Sequence, residues 1–222
     1  MTGASAAAAS LARSQWLSPE ALAEHQAALH ARLVRRAGSA FGRSVRSSGT
    51  GGSPSRARWS VEAMRWQDAA EARARDWVGA GDGMSRLWVC CNPADRLRHV
   101  GAFLGNTRIL AAGELARDDA RLSAMVEEIA RRPPDVIQGV SNVLAALADG
   151  LERRDVSLPG TICISAGSHL TPWYRRRLEC VFAPSVRERY AAAEVGLIAS
   201  SCERGTLHVH AENLLVEILD RD

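Results

Sequence analysis

Apolar residues recur at helical spacing from Ala21 to Ala37 (ALAEHQAALHARLVRRA). Just before them, Ser18-Pro19-Glu20 supplies an N-cap, a proline for the first helical turn and an early carboxylate. Residues 1–15 are Ala-rich with no strong pattern, and 1–16 read as a flexible N-terminal tail. Over 42–56 (GRSVRSSGTGGSPSR) the periodicity disappears into Gly, Ser, Pro and Arg. Beyond it, helical patterns and short apolar runs take turns. Helices are expected at 60–78, 94–104, 118–131, 141–153 and 172–182, and strands at 86–91 (RLWVCC), 107–111, 135–138, 161–165 and 186–190. Two last strands, 206–210 and 214–219, are separated only by Ala211-Glu212-Asn213 and are expected to pair antiparallel. Strands alternating with helices imply βαβ units, so the expected fold class is α/β, a largely parallel sheet flanked by helices, with 17–222 as its domain.

Composition narrows the chemistry. The chain has 222 residues, 46% hydrophobic and 24% charged, enough to bury a core without disulfides. A formal net charge of +3 does not describe a nucleic-acid or membrane surface, and no partner of either kind is expected. All 28 basic residues are Arg. Without Lys there is no Schiff-base chemistry, no Walker A lysine and no lysine general base. Five cysteines (90, 91, 163, 180 and 202) form no disulfide framework, which points to a reducing, cytoplasmic setting. The N-terminal segment lacks the charged and apolar regions of a signal peptide, and no apolar run is long enough for a spanning helix.

Three segments carry candidate chemistry. In Ser47-Ser48-Gly49-Thr50-Gly51-Gly52-Ser53-Pro54, glycines can turn backbone N–H groups inward and hydroxyls add donors, as a phosphate-wrapping loop needs. Arg46 and Arg56 flank it; a flexible Ser/Gly linker explains the same composition. In Arg189-Tyr190-Ala191-Ala192-Ala193-Glu194-Val195-Gly196, Tyr190 offers a flat face for a base and Glu194 a carboxylate for a divalent cation. This segment follows a strand, where ligands of open α/β sheets sit; a surface Tyr and a helix-start Glu are the plainer reading. Cys202, His208 and His210 have a spacing compatible with zinc, and equally with a buried Cys and two strand histidines.

Taken in order, these segments resemble the adenylate-forming (AMP-dependent) synthetase superfamily, in particular its phenylacetate–coenzyme A ligase and capsule-biosynthesis branch. SSGTGGSPS resembles the family's phosphate loop. Pro134-Asp135-Val136-Ile137-Gln138-Gly139-Val140-Ser141 resembles a strand-to-helix segment near the acyl pocket. Ser165-Ala166-Gly167-Ser168-His169-Leu170-Thr171-Pro172 resembles the turn along the adenine, and RYAAAEVGLIASSCERGTLHVHAENLLVEILD resembles the family's Tyr–Glu stretch. There are departures. Gly51 stands for a Thr, Ser53 for a Lys, Ser168 for a Glu, Ala191 for a Gly and Ala193 for a hydroxyl residue. The similarity covers roughly the N-terminal half of such an enzyme, and the lysine-bearing C-terminal domain is expected to be absent.

The resemblance implies an ATP-dependent acyl-adenylate-forming ligase of the carboxylic acid–coenzyme A type, or its N-terminal portion. Ser47, Ser48, Gly49, Thr50, Gly51 and Gly52 are then expected to hold ATP phosphates, and Gly167, Ser168 and His169 with Arg189 and Tyr190 to line the nucleotide. Gln138, Gly139, Ser141, Ala191 and Gly196 are expected to border the acid. Thr50 and Glu194 are the expected catalytic pair, placing Mg²⁺. Cys202 and His208 are the candidate ligands of a structural Zn²⁺, since a Cys and a His recur there in the family. Implied partners are ATP/AMP, a carboxylic acid, and coenzyme A or another acceptor, with a partner chain or homo-oligomer completing the enzyme. The competing expectation is a catalytically degenerate nucleotide- or acyl-binding subunit.

Overall fold

Helix-length connections between consecutive strands force those strands to run parallel. The computed structural model describes residues 3–36, 43–46, 56–90, 106–111 and 117–219. Its larger sheet has strands β3 (Arg86–Cys90), β4 (Thr107–Ala111), β5 (Val136–Gly139), β6 (Ile162–Ala166), β7 (Val186–Ala192), β8 (Gly196–Ser201) and β9 (Leu207–Val209), in the order β4-β3-β5-β6-β7-β8-β9. Every pairing from β4 through β7 is parallel. The sheet is mixed and mostly parallel, as the alternation requires. The helix expected at 94–104 lies outside the described residues.

The chain divides into two compact units. One comprises 75–190 and 201–207. Leu87, Val89, Ile137, Cys163 and Val186 point to one side of its strands, at the period-2 spacing of a pleated strand. There they meet Val126 and Ile129 of α4 (Asp119–Arg131), Leu144 and Leu147 of α5 (Ser141–Glu152), and Leu178 and Phe182 of α6 (Pro172–Phe182). On the other side Val136 and Ile164 join Ala80 in a smaller cluster. Asp118 caps α4, accepting from Ala120 N at 3.0 Å and Arg121 N at 3.1 Å, and Thr171 caps α6 ahead of Pro172. The N-cap of α5 is Val140, which has no side-chain acceptor.

The other unit comprises 1–74, 191–200 and 208–222. The segment read as a tail contains α1 (Gly3–Ser14), whose Ala7 and Leu11 are buried against Ala69, Ala70 and Ala74 of α3 (Val61–Trp77) and Leu197. Its small Ala-rich stripe suits close helix packing, a signal that hydrophobicity alone understates. Helix α2 (Pro19–Arg36) forms where the caps place it. Within 42–56, read as irregular, β1 (Arg43–Arg46) and β2 (Arg56–Trp59) pair antiparallel, with Arg46 opposite Arg56.

The C-terminal part differs from the expected strand pair. Strand β8 occupies a stretch without an expected strand, and 214–219 form none. The chain turns after β9: Asn213 N and Leu214 N both donate to the carbonyl of His210, while Gln26 Nε2 donates to the carbonyls of Ala211 at 2.6 Å and Leu214 at 3.4 Å. These bonds occupy the backbone that a hairpin would use. Leu215, Val216, Ile218 and Leu219 are left exposed.

Candidate functional site

The carboxyl ends of β5, β6 and β7 hold most of the described candidates. Gln138 and Gly139 end β5, Ser141 opens α5, Gly167-Ser168-His169 follow β6, and Arg189, Tyr190 and Ala191 lie late in β7. Crossover connections put these turns on one rim of the parallel sheet.

Two groups of candidates meet there. Arg189 Nη1 donates to Gln138 Oε1 at 3.3 Å, reaching across β6. Arg86 projects from the same face of the sheet. Burial, and then the guanidinium of Arg75, hold Arg86 below its usual range; Arg189 acts in the same sense, and Asp82 and Asp135 oppose it. The second group joins Ser141, Ser165, Ser168 and the His169 carbonyl. Ser168 Oγ accepts from Ser141 N at 2.8 Å, and Ser141 Oγ lies 2.7 Å from Ser165 Oγ and 3.2 Å from His169 O. Ser165 opens the segment that resembles the adenine-side turn but carries no expected role there; its burial and its contact with Ser141 emerge only from the fold.

Gly139 is a packing glycine as well as a candidate. A Cβ there would lie 2.7 Å from the carbonyl oxygen of Val89 and 2.8 Å from its Cβ, so β3 and β5 approach only because the side chain is missing. Gly196, which opens β8, has φ +80°, and a Cβ there would meet Gln67 Oε1 at 2.3 Å and Trp59 Cη2 at 2.6 Å. Gln67 Oε1 also accepts from Leu197 N at 3.0 Å, a contact that sequence spacing could not reveal. Tyr190 is exposed, as are Ala191 and Glu194; Glu194 occupies the turn between β7 and β8. Gly167 has φ +82°, and Ser168 and His169 are exposed beside it. Ser47, Ser48, Gly49, Thr50, Gly51 and Gly52 lie outside the described residues, between β1 and β2.

Among the described residues no group of three or more His, Cys, Asp or Glu is placed to bind a metal. His210 is fully buried, with Nδ1 against Arg73 and Nε2 2.9 Å from Ser200 Oγ, and the same Arg73 pairs with Glu212. Both imidazole nitrogens are thus committed. Cys202 opens the turn before β9, where its carbonyl accepts from Gly205 N, and His208 is exposed on β9.

No protein-family model and no curated protein sequence matches the chain. Solved structures do. A 2-hydroxyisobutyryl-CoA ligase in complex with 2-HIB-AMP and CoA aligns with TM-score 0.54 and 14% identity over 74% of this chain and 36% of that one. ATP-bound MatB from Rhodopseudomonas palustris aligns with TM-score 0.52 and 16% identity over 75% and 32%. The adenylation domain of a keto acid-selecting NRPS module bound to keto acyl adenylate gives 0.51 and 12% over 73% and 32%. The fold matches part of the adenylate-forming enzymes. The chain spans about a third of the length of these structures. Among the described residues no helix is long and apolar enough to cross a membrane.

Proposed function

We propose that this chain is the nucleotide-binding part of an ATP-dependent, acyl-adenylate-forming ligase of the carboxylic acid–coenzyme A type, whose motifs resemble those of the phenylacetate–coenzyme A ligase branch. The observation that carries the reading is the meeting of separate motifs at one rim: Gln138 with Arg189, and Ser141 with Ser168 and His169. They come from three motif segments, in the order that the resemblance requires.

In such a reaction an oxygen of the acid attacks the α-phosphorus of ATP, and the bond to the bridging oxygen breaks, releasing pyrophosphate. The acceptor thiol gives up its proton and its sulfur attacks the acyl carbon, expelling AMP. The protein's part is positioning and charge neutralisation. Ser47 to Gly52 would hold the outer phosphates through backbone N–H groups and hydroxyls; Arg46 and Arg56, which flank the segment, face each other in the register of β1 and β2. Gly167 to His169 and Tyr190 would flank the adenine, while Gln138, Gly139, Ala191 and Gly196 would border the acid. The Thr50 hydroxyl and the Glu194 carboxylate are hard oxygen donors of the kind Mg²⁺ takes, and the ion would neutralise phosphate charge there.

The test is a titration of ATP and AMP, with and without Mg²⁺, on the wild type, Thr50→Ala and Glu194→Gln. With Ser53 in place of the loop Lys, dissociation constants of roughly 0.1–1 mM are expected. Thr50→Ala should weaken ATP more than AMP, and Glu194→Gln should reduce the Mg²⁺ dependence. Failure of both nucleotides to bind at millimolar concentration refutes the reading.

A further inference from the structure

The start of α5 poses a hydrogen-bonding problem that another part of the chain solves. The first N–H groups of a helix need acceptors from outside it, and Val140 at the N-cap offers none from its side chain. Ser168, 27 residues further on, supplies one: its Oγ accepts from Ser141 N at 2.8 Å. Ser141 is fully buried, and its Oγ has Ser165 Oγ at 2.7 Å, Ser168 Oγ at 3.0 Å, His169 O at 3.2 Å and Ser168 O at 3.5 Å.

A hydroxyl has one proton and two acceptor sites. The nearer carbonyl takes the proton, so Ser141 donates to His169 O and accepts from the hydroxyls of Ser165 and Ser168. Its capacity is then filled, and no site remains for a substrate. The same bonds grip the turn after β6 at two successive residues, by the side chain of Ser168 and the carbonyl of His169. Val140 Cγ1 lies 3.4 Å from where a Cβ on Gly167 would be, so the N-cap backs the turn from beneath.

We infer that Ser141 and Ser168 form a latch that fixes the Gly167–His169 turn, making Ser141 a positioning residue for the nucleotide and not a residue that touches the acid. The inference rests on the nucleotide-binding reading above. It also accounts for Ser168 where the resemblance expects Glu. An ionised Glu could accept from Ser141 N, but it has no proton to give Ser141 Oγ.

The experiment compares the wild type with Ser141→Ala, Ser168→Ala, Ser168→Glu and a control, Thr161→Val. Thr161 is a buried residue just before β6, at its amino end, and donates to Pro134 O at 2.8 Å. Amide hydrogen exchange at residues 167–170 and NMR titration with ATP and with AMP are the readouts. Loss of one such bond corresponds to about a tenfold change. Ser141→Ala and Ser168→Ala should each speed exchange across the turn about tenfold. They should weaken ATP and AMP equally, by about three- to tenfold, because the turn faces the base common to both. Ser168→Glu should not restore affinity, and Thr161→Val should lower stability while leaving turn exchange and affinity unchanged. Wild-type exchange and affinity in both alanine variants, or tighter binding by Ser168→Glu, would overturn the latch. Absence of binding by the wild type would instead remove the nucleotide reading, with the exchange rates still deciding whether the latch holds the turn.

Discussion

Gly139→Ala and Gly160→Ala are the same chemical change with opposite expected outcomes. At Gly139 the added methyl sits 2.8 Å from Val89 Cβ, about 0.7 Å inside the shortest comfortable carbon–carbon separation, and 2.7 Å from the Val89 carbonyl oxygen. Neither atom can swing aside. Val89 lies in β3, held by β4 on one side and β5 on the other. Relief therefore requires the strands to part. Overpacking costs about 1–3 kcal/mol, and a backbone obstacle puts this case near the upper end. For a chain of this length each kcal/mol moves Tm by about 2–4 °C, so a fall of roughly 4–12 °C is expected. Gly160 has nothing within 4 Å of a built Cβ, and its φ lies outside the left-handed region. Alanine there should be neutral or gain about 0.4–1 kcal/mol by restricting the unfolded chain. Urea and thermal unfolding of the two variants measure the contrast. Stabilities within 0.5 kcal/mol of each other would refute the close-approach argument.

The buried ion pair and the acid limb of the stability curve offer two further tests. Glu212→Gln leaves the buried Arg73 guanidinium without its carboxylate, and urea unfolding should show a loss of about 3 kcal/mol; a loss below 1 kcal/mol would contradict the pairing. The Asp135 carboxylate accepts from Ser85 N at 2.7 Å and Ser85 Oγ at 2.8 Å, which, with a smaller contribution from Arg86, holds its pKa below the ordinary carboxyl range. A lowered folded value means the contribution is present above about pH 4 and is lost as pH falls through the folded value, so Asp135→Asn should flatten the acid decline; an unchanged decline refutes it.

How much of this was legible in the sequence depended on whether the governing interaction was local. The parallel strands and their helices were legible because βαβ alternation is a short-range pattern: Thr107–Ala111 and Pro172–Phe182 form where the spacing puts them. The rim of the sheet was legible for the same reason, since strand ends follow from strand positions. What escaped was decided by contacts distant in sequence. Helix α1 exists where Ala7 and Leu11 find Ala69, Ala70 and Leu197. The segment 214–219 (LLVEIL) is an apolar run of strand length, yet side chains from α2 and α3 claim its first residue and those just before it: Gln26 takes the carbonyls of Ala211 and Leu214, and Arg73 takes Glu212.

His210 shows why spacing misleads when a partner is missing from view. Cys202, His208 and His210 in sequence describe a set of soft donors, and Ser200 Oγ at 2.9 Å from Nε2 describes a nucleophile beside its base. Arg73 rules against both readings. A guanidinium only donates, so Nδ1 facing it must be the lone-pair nitrogen, and in the neutral ring the proton then sits on Nε2. The imidazole donates to Ser200 and cannot accept that hydroxyl's proton. Nor does either nitrogen remain for a metal. Arg73 is also the group that holds Glu212, so one side chain from α3 fixes the tautomer of His210 and turns the chain after β9. The cluster of Arg73, Glu212, His210 and Ser200 is therefore structural: its hydrogen-bonding capacity is spent on holding α3, β8 and the turn after β9.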